Sequence, residues 1–209
     1  MTTTFGFLIA IEGIDGSGKS TLAYNLAQAL KQDAVPVLLT KQPGGSNLGK
    51  ALRTILQEQV VVPEAEFLLF AADRAQHIQE VVLPALKQGY VVISDRMADS
   101  SYAYQGAGRG LPLDIISTVN NWVMQGIKPD LTLYIKVTSD IARERIFLRK
   151  EKLTTFEHEQ KLFFDRVIQG FDALYKDRAD VVILDGTLDE RELLEKAYLV
   201  VQRALKERT

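Results

Sequence analysis

The chain has 209 residues, 46% of them hydrophobic, and a formal net charge of −2. This length suits one compact α/β domain over residues 1–209, and the charge gives no general argument for binding nucleic acid or a membrane surface. Cysteine is absent, which excludes disulfides and thiolate metal sites and fits a reducing cytosol. The first residues carry no basic region and no uncharged run reaches the length of a membrane span, so we expect a cytoplasmic protein without a signal peptide.

Short β-rich runs alternate with longer helical stretches, a pattern typical of a parallel sheet covered by helices. The five strands are predicted at 6–11, 36–40, 90–94, 131–136 and 181–184. The helices are predicted near 19–31, 47–57, 64–87, 112–126, 139–150, 157–176 and 189–206. Pro84 should kink or end the third helix, and Thr187 with Glu190 should form a capping box before the last one.

Residues 13–20 read Gly-Ile-Asp-Gly-Ser-Gly-Lys-Ser, a phosphate-binding P-loop that directly follows an apolar strand. Its glycines let backbone N–H groups close around a phosphate, Lys19 reaches the outer phosphates, and Ser20 suits Mg²⁺. The sequence therefore predicts a nucleoside triphosphate site on a three-layer α/β P-loop NTPase fold. We expect the site to comprise Gly13, Ile14, Asp15, Gly16, Ser17, Gly18, Lys19, Ser20 and Thr21.

Asp95 and Arg96 directly follow the third predicted strand. Because ligands sit beyond the carboxyl ends of parallel strands, Asp95 should emerge near the P-loop and serve Mg²⁺. The alternative is a plain cap or turn residue. Arg96 is a planar fork of donors that suits a second phosphate group.

Phe70 and Arg74 lie four residues apart on one predicted helix, so they share a face and could hold a base and its phosphate together. Equally, Phe67, Leu68 and Phe70 could simply be core residues, with Arg74 on the surface.

Two further segments are open to two interpretations. Segment 98–110 mixes small, hydroxyl and aromatic residues, which favours either a ligand-contacting loop or a solvated glycine loop. The basic run at 143–152 is typical of a solvated helix face, but it could also close over phosphates as a short basic lid, near 143–156.

Taken together, the motifs resemble bacterial thymidylate kinases, within the nucleoside monophosphate kinase group. The resemblance covers nearly the whole chain. It rests on the loop 12–21, Pro-Gly-Gly at 43–45, the run 68–77, Asp95-Arg96 with Ser101 and 103–106, and Pro-Asp-Leu-Thr-Leu-Tyr at 129–134. It implies a homodimer that uses Mg²⁺ and converts ATP and dTMP into ADP and dTDP.

The resemblance also implies roles for individual residues. Asp15 would bond the acceptor's 3′-hydroxyl, Phe70 would stack on thymine, and Tyr104 would crowd the place of a ribose 2′-hydroxyl. The acceptor's base or phosphate would be contacted by Arg53, Arg74 and Arg96. Ser101 and Gln105 would read the pyrimidine edge.

The chain departs from the family pattern at three places. Gln42 replaces the family's Glu, and Gly16 stands where some relatives carry a basic residue. The lid reads Thr-Thr-Phe-Glu at 154–157 instead of Asp-Arg before a hydrophobic-Glu pair, so the lid cation should be Arg149, with Lys150 or Lys152 in reserve.

A phosphate monoester has a second pKa near 6, so the attacking oxygen is mostly ionised at pH 7 and no general base is needed. We therefore assign no catalytic role to His77 or His158. The catalytic set is expected to be Asp15, Lys19, Arg96 and Arg149.

The alternatives are a kinase for AMP, CMP or UMP, a switch GTPase, and a nucleotide-binding scaffold without turnover. A GTPase would need an Asn-Lys-x-Asp stretch after a strand. The nearest candidate, at 128–130, lacks the Asn and precedes a strand.

Overall fold

The computed structural model describes residues 5–149 and 153–207. Within them lies one five-stranded sheet whose neighbouring strands all run parallel, in the order β2-β3-β1-β4-β5. This confirms the predicted α/β fold. The strands are β1 Phe7–Glu12, β2 Val37–Lys41, β3 Val91–Asp95, β4 Leu131–Lys136 and β5 Val181–Asp185.

Helices cover both faces of the sheet. They are α1 Lys19–Gln32, α2 Asn47–Glu58, α3 Pro63–His77, α4 Leu83–Lys87, α5 Asp99–Ser101, α6 Leu113–Met124, α7 Ser139–Leu148, α8 Lys161–Tyr175 and α9 Glu190–Glu207. Two wider π-helical turns lie at Ile78–Val82 and Tyr102–Gly108. No helix within the described ranges combines the length and the apolar character that a membrane crossing requires.

The alternation of side chains along β1 divides the core between the two faces of the sheet. Phe7, Ile9 and Ile11 belong to the cluster formed with α1 and α9. Leu8 and Ala10 belong to the cluster on the other face, with residues 78–86. Because β1 is central and buried on both faces, its carboxyl end and the loop that follows are held firmly.

Segment 98–110 is helical over residues 99–108, so both loop interpretations of it were wrong. Its small residues allow very close packing against α8, and an added Cβ on Gly170 would lie 2.6 Å from the Ala107 Cβ. Ala103 and Tyr104 are buried in this contact, and Gln105 is buried against Glu66 of α3. Tertiary packing thus overrides the low helix propensity of a glycine-rich stretch.

The predicted helical stretch 64–87 is confirmed: the chain remains helical through Pro84 to Lys87, and a π-helical turn, not a helix end, lies just before the proline. One helix start and one cap differ from prediction. Helix α8 begins at Lys161 rather than near 157. The capping box was wrong, because Asp189 accepts from the Glu192 N–H at 2.9 Å while Thr187 bonds back to Asp185.

Candidate active site

A cleft of about 880 Å³ opens at the carboxyl ends of the strands. The P-loop forms one wall, α2 and α3 form the facing wall, and α7 with residues 153–157 borders the open side. All eight predicted acceptor-site residues line this cleft: Asp15, Arg53, Phe70, Arg74, Arg96, Ser101, Tyr104 and Gln105. The structure therefore brings together side chains from 15 to 105 that the sequence scatters over the chain.

Six of the nine predicted P-loop residues line the cleft, namely Asp15, Gly16, Gly18, Lys19, Ser20 and Thr21. Gly13, Ile14 and Ser17 are buried behind them and serve the loop through their backbone. Gly13 and Ile14 offer their carbonyl oxygens to the Arg96 Nη1 and the Lys19 Nζ, at 2.8 and 3.3 Å. The loop thus orients its own lysine and a cation from the neighbouring strand.

Two glycines are required by the shape of the loop. Gly18 adopts a left-handed φ of +94° immediately before α1, which aims that helix's N-terminus at the cleft. Gly16 also has a positive φ, and an added Cβ would lie 2.3 Å from the Ala142 carbonyl oxygen in α7. Gly16 therefore allows α7 to seat against the P-loop, which no basic side chain at this position could do.

Asp95 stands beside Ser20, as the sequence predicted. The Ser20 hydroxyl donates to the Asp95 Oδ2 at 2.5 Å, while the Asp95 Oδ1 is buried and has no hydrogen-bond partner among the described residues. These hard oxygen donors fit Mg²⁺, which commonly takes one or two protein oxygens and completes its shell with phosphates and water. No cluster of three acidic, His or Cys ligands occurs in the described part of the chain, so an all-protein metal cage is not built here.

Asp15 joins two cations at the centre of the cleft. Its Oδ1 lies 2.7 Å from the Arg96 Nη2 and 3.3 Å from the Lys19 Nζ, and the Tyr104 hydroxyl donates to its Oδ2 at 2.9 Å. Burial opposes the ionised form of Asp15, but the charges of Arg96 and Lys19 outweigh it and hold its pKa well below the usual range. Asp15 is therefore a carboxylate at any physiological pH.

Lys19 and Arg96 are held in a largely buried setting. Lys19 is 7% exposed. Burial and the Arg96 charge lower its pKa below the usual value, and the charges of Asp15 and Asp95 offset this only in part. Arg96 has a left-handed φ of +71°, unusual for a residue with a side chain. This unusual backbone conformation at Arg96 directs its guanidinium toward the P-loop.

Arg74 is 2% exposed and almost completely bonded within the protein. Its guanidinium donates to Gln42 Oε1 at 3.1 Å, Asn120 Oδ1 at 2.6 Å, Ser101 Oγ at 2.9 Å and the Met97 carbonyl at 3.4 Å. Burial lowers its pKa to about 10, so it remains a cation at neutral pH. Of the two interpretations, the surface arginine was therefore wrong, and Arg74 is a fixed charge in the cleft wall.

His77 lies behind Arg74 and is buried. The Gln42 amide nitrogen is 2.9 Å from His77 Nδ1, which therefore accepts, so His77 Nε2 donates to Thr40 Oγ1 at 2.6 Å. Burial and the Arg74 charge lower the pKa of His77 to about 4. Gln42 thus bridges a neutral histidine and a charged arginine, with its amide oxygen toward the arginine.

Phe70 projects into the cleft, whereas Phe67 is core and Leu68 is 57% exposed. The simple core interpretation of these three residues was therefore wrong for two of them. The ring of Phe70 is half-buried and its centroid lies 5.9 Å from that of Phe156. Phe156 is also 5.9 Å from Tyr104, so an aromatic corner lines the cleft where a base could stack.

Two more predicted residues lie close by. The Gln105 amide nitrogen donates to Glu66 Oε1 at 2.8 Å, and Glu66 also pairs with Arg109 at 3.0 Å. Arg53 is half-buried and donates to the Pro43 carbonyl at 3.2 Å. Both arrangements fix side chains that border the cleft.

The predicted lid is only partly described, because Lys150 and Lys152 lie outside the described residues. Arg149 follows α7, lines the cleft and pairs with Glu157 at 2.7 Å. Arg145 lies deeper, donating to the Gly186 carbonyl at 2.9 Å and to the Ser17 carbonyl at 3.4 Å. Thr155 donates to the Gln57 carbonyl at 2.8 Å, which ties the segment to α2.

Sequence reasoning missed three polar residues that organise the site. Glu12, Glu66 and Asn120 are each at most 4% exposed. Glu12 holds Arg96 through Ser100, Glu66 accepts from Gln105, and Asn120 accepts from Arg74. Glu12 gave a signal, since it is a charge at the end of an apolar strand. Asn120 gave none, because a single amide in a helix is ordinary on a solvated face.

Comparisons with known proteins agree with this geometry. The thymidylate kinase family model matches residues 11–197. The thymidylate kinase of Halothermothrix orenii is 42% identical over 204 residues, covering 96% of this chain and 98% of the relative. That of Neisseria meningitidis serogroup B is 46% identical over 173 residues, 82% of each chain. The crystal structure of thymidylate kinase from Ehrlichia chaffeensis superposes with a TM-score of 0.76 at 31% identity, covering 94% of this chain and 98% of that one.

These similarities extend over the P-loop, the Asp95-Arg96 turn and both walls of the cleft, and they agree with the resemblance that the motifs carry. The chain belongs to the thymidylate kinase family.

Proposed function

We propose that this chain transfers the γ-phosphate of magnesium-bound ATP to dTMP, giving ADP and dTDP for dTTP synthesis. Family membership supports the reaction. In this chain one observation carries it: Lys19 of the P-loop and Arg96 of the adjoining strand meet on the same Asp15 oxygen, at 3.3 and 2.7 Å. A donor phosphate held by Lys19 and an acceptor phosphate held by Arg96 would therefore lie end to end.

The P-loop wall would take ATP. Its backbone N–H groups and the N-terminus of α1 form an anion-binding site, and Lys19 adds the charge for the outer phosphates. Ser20 and Asp95 would hold Mg²⁺, which when bound neutralises charge on the donor phosphates.

The opposite wall would take dTMP. The base would stack on Phe70, with Ser101 and Gln105 toward its edge and Arg53 and Arg74 toward the base or its phosphate. Asp15 would accept from the sugar 3′-hydroxyl, and Tyr104, which is buried and bonded to Asp15, leaves a rigid ring where a 2′-hydroxyl would need room.

Catalysis then consists of alignment and charge stabilisation. Two anions repel each other, and Lys19, Arg96 and Arg149 offset that repulsion. The acceptor phosphate is already ionised, so no residue must remove a proton. His77 is buried against Thr40 and Gln42, which is consistent with a purely structural role.

We also propose that the chain acts as a homodimer. Helices α3 and α6 lie side by side, joined by the Arg74–Asn120 bond, and both carry exposed apolar side chains: Leu68, Ile115 and Trp122, the last 77% exposed. Since Trp122 is the one tryptophan of the chain, its fluorescence should shift to the blue as concentration drives dimerisation. Trp122→Arg should sediment as a monomer, and an unchanged sedimentation coefficient would refute this face as the interface.

Two further expectations remain part of the proposal. Residues 1–209 act as a single catalytic domain, because the cleft draws on strands and helices from residue 15 to residue 157. The protein works in the cytoplasm, where ATP and dTMP are available.

The experiment is a panel of acceptors. Release of ADP from ATP and Mg²⁺ is measured with dTMP, dUMP, ribothymidine monophosphate, AMP and CMP, and we expect dTMP to give the highest kcat/KM. A preference for AMP or CMP would identify another monophosphate kinase. Rapid GTP hydrolysis without an acceptor would identify a switch GTPase instead.

A further inference from the structure

Glu12 is a fully buried carboxylate that the proposed reaction does not use. It ends β1 directly before the P-loop and is 0% exposed. Among the described residues, no lysine or arginine lies within ion-pair distance of it. Its two oxygens instead accept from the Met97 backbone N–H at 2.7 Å and from the Ser100 hydroxyl at 2.6 Å.

The bond to Ser100 continues to Arg96. The Arg96 Nη1 donates to the Ser100 Oγ at 3.0 Å, and the same hydroxyl donates its proton to Glu12. Direction is therefore fixed along this path, because a hydroxyl has one proton and the arginine can only donate. The Arg96 Nη2 is then free to reach Asp15 at 2.7 Å.

The second bond of Glu12 holds the backbone of the same turn. Met97 follows Arg96, whose φ of +71° is unfavourable for a residue with a Cβ. The Arg96 N–H also donates to the Ile11 carbonyl at 3.0 Å. Glu12 thus pins both the main chain and, through Ser100, the side chain of this arginine.

Keeping a carboxylate here is costly. Burial, with Asp99 nearby, raises the pKa of Glu12 to about 7, although Arg96 and the bonds from Ser100 and Met97 oppose the rise. The remaining charged or titratable neighbours are Arg74 of α3 and Tyr175 of α8. An amide of the same size would avoid the burial of a charge, but it would place a donor nitrogen at one of the two positions where Glu12 accepts, from the Met97 N–H and from the Ser100 hydroxyl.

We propose that Glu12 is a positioning residue for phosphoryl transfer, and that its carboxylate acts through Ser100 to hold the Arg96 guanidinium toward Asp15 and the reacting phosphates. This inference rests on the role proposed above for Arg96.

The test compares Glu12→Gln and Ser100→Ala with wild type. The glutamine keeps an acceptor for the Met97 N–H, but its nitrogen turns a donor toward Ser100 and leaves the hydroxyl proton without an acceptor. We expect kcat to fall on the order of 10- to 100-fold in both variants, since a small misplacement of a charged group is expensive in rate. The KM for ATP should stay close to wild type, because the P-loop is untouched.

A matched control is Asp130→Asn. Asp130 also accepts from a backbone N–H of β1, that of Leu8 at 2.8 Å, but it lies at the amino-terminal ends of the strands and does not line the cleft. This control should keep the wild-type kcat. Thermal unfolding is recorded for every variant, and if Glu12→Gln does not fold, the milder Ser100→Ala decides the question by the same kcat and KM criteria.

Because Glu12 is argued to act through Arg96, Glu12→Gln should cost nothing further in an Arg96→Lys background. An equal loss in both backgrounds, or a wild-type kcat in the folded single variants, would overturn the inference. If Arg96→Lys and Arg96→Ala themselves turn over normally, the proposed role of Arg96 fails instead, which is a separate outcome.

Discussion

Two regions of the cleft supply its positive charge: an inner region with Lys19 and Arg96, and an outer region with Arg149. They differ in how firmly the protein holds these cations. In the inner region, Arg96 bonds to Gly13, Asp15, Ser100 and Tyr104, and its side chain is 14% exposed. In the outer region, the side chain of Arg149 is 39% exposed and reaches across to Glu157.

This difference separates two tasks. In the proposed reaction the inner cations would already be in place when the phosphates arrive, so little ordering would be needed at the moment of reaction. Arg149 would have to turn from Glu157 to a phosphate, so its contribution would depend on rearrangement of its own side chain. Substitutions in the inner region should therefore change both KM and kcat, and substitutions in the outer region should chiefly lower kcat.

The largest effect is expected for Lys19→Ala. Loss of the inner cation from the P-loop should lower kcat by at least on the order of 10²–10³, since Lys19 acts where charge develops. The fold should survive, because this side chain is not part of the apolar core. Lys31→Ala, on the same helix but exposed, is the control and should behave as wild type. Normal turnover by Lys19→Ala would remove the inner region from the mechanism.

A smaller effect is expected for Arg149→Ala. We predict a fall in kcat of about 10- to 100-fold with little change in the KM for dTMP, because in the proposed mechanism this residue acts on the moving phosphate after binding. Arg143→Ala is the matched control, since Arg143 is exposed on α7 and does not line the main cleft. Equal effects of the two variants would place the lid cation elsewhere, with Lys150 and Lys152 as the next candidates.

Phe70→Ala should act on binding alone. Loss of one stacked ring is worth about 1–3 kcal/mol, so the KM for dTMP should rise at least about 5-fold while kcat changes little. Phe70→Tyr keeps the ring and should restore most of the affinity. A KM that does not respond to Phe70→Ala would return this residue to a structural role.

The smallest effect on kcat and KM at neutral pH is expected for His77, which packs against Gln42 behind Arg74. Its pKa falls from an ordinary value of 6.5 to about 4 in the folded chain, so the unfolded chain takes up the proton first as pH drops. The stability that a neutral His77 provides is complete above pH 6.5 and is lost progressively toward pH 4. Urea unfolding of His77→Gln should show a weaker acid dependence than wild type. Parallel curves for wild type and His77→Gln would refute the buried, neutral state.

The inner region was also the more predictable from sequence. The P-loop and Asp95-Arg96 each follow an apolar strand, and parallel strands bring their carboxyl ends to one edge, so the proximity of Ser20 and Asp95 followed from topology. Helical spacing alone did not decide whether Phe70 faces the cleft, because the same periodicity is typical of a helix face that packs in the core.

What sequence could not give was the polar packing behind the site. The helix at 99–108 depends on contact with α8, and its glycines and small residues indicate a loop when they are considered alone. The buried bonds of Arg74 to Gln42 and Asn120 join residues 32 and 46 positions away along the chain, and no local pattern encodes such partners. The basic run at 143–152 stayed open between a solvated helix face and a lid for a related reason, because exposed charges have no periodic signature.

The most direct measurement is a crystal structure of the protein with dTMP and a non-hydrolysable ATP analogue bound together. We expect the outer phosphate of the analogue at Lys19, the dTMP phosphate within hydrogen-bond distance of Arg96, and the thymine against Phe70. A dTMP molecule bound away from both Arg96 and Phe70 would contradict the arrangement of two nucleotides end to end across Asp15.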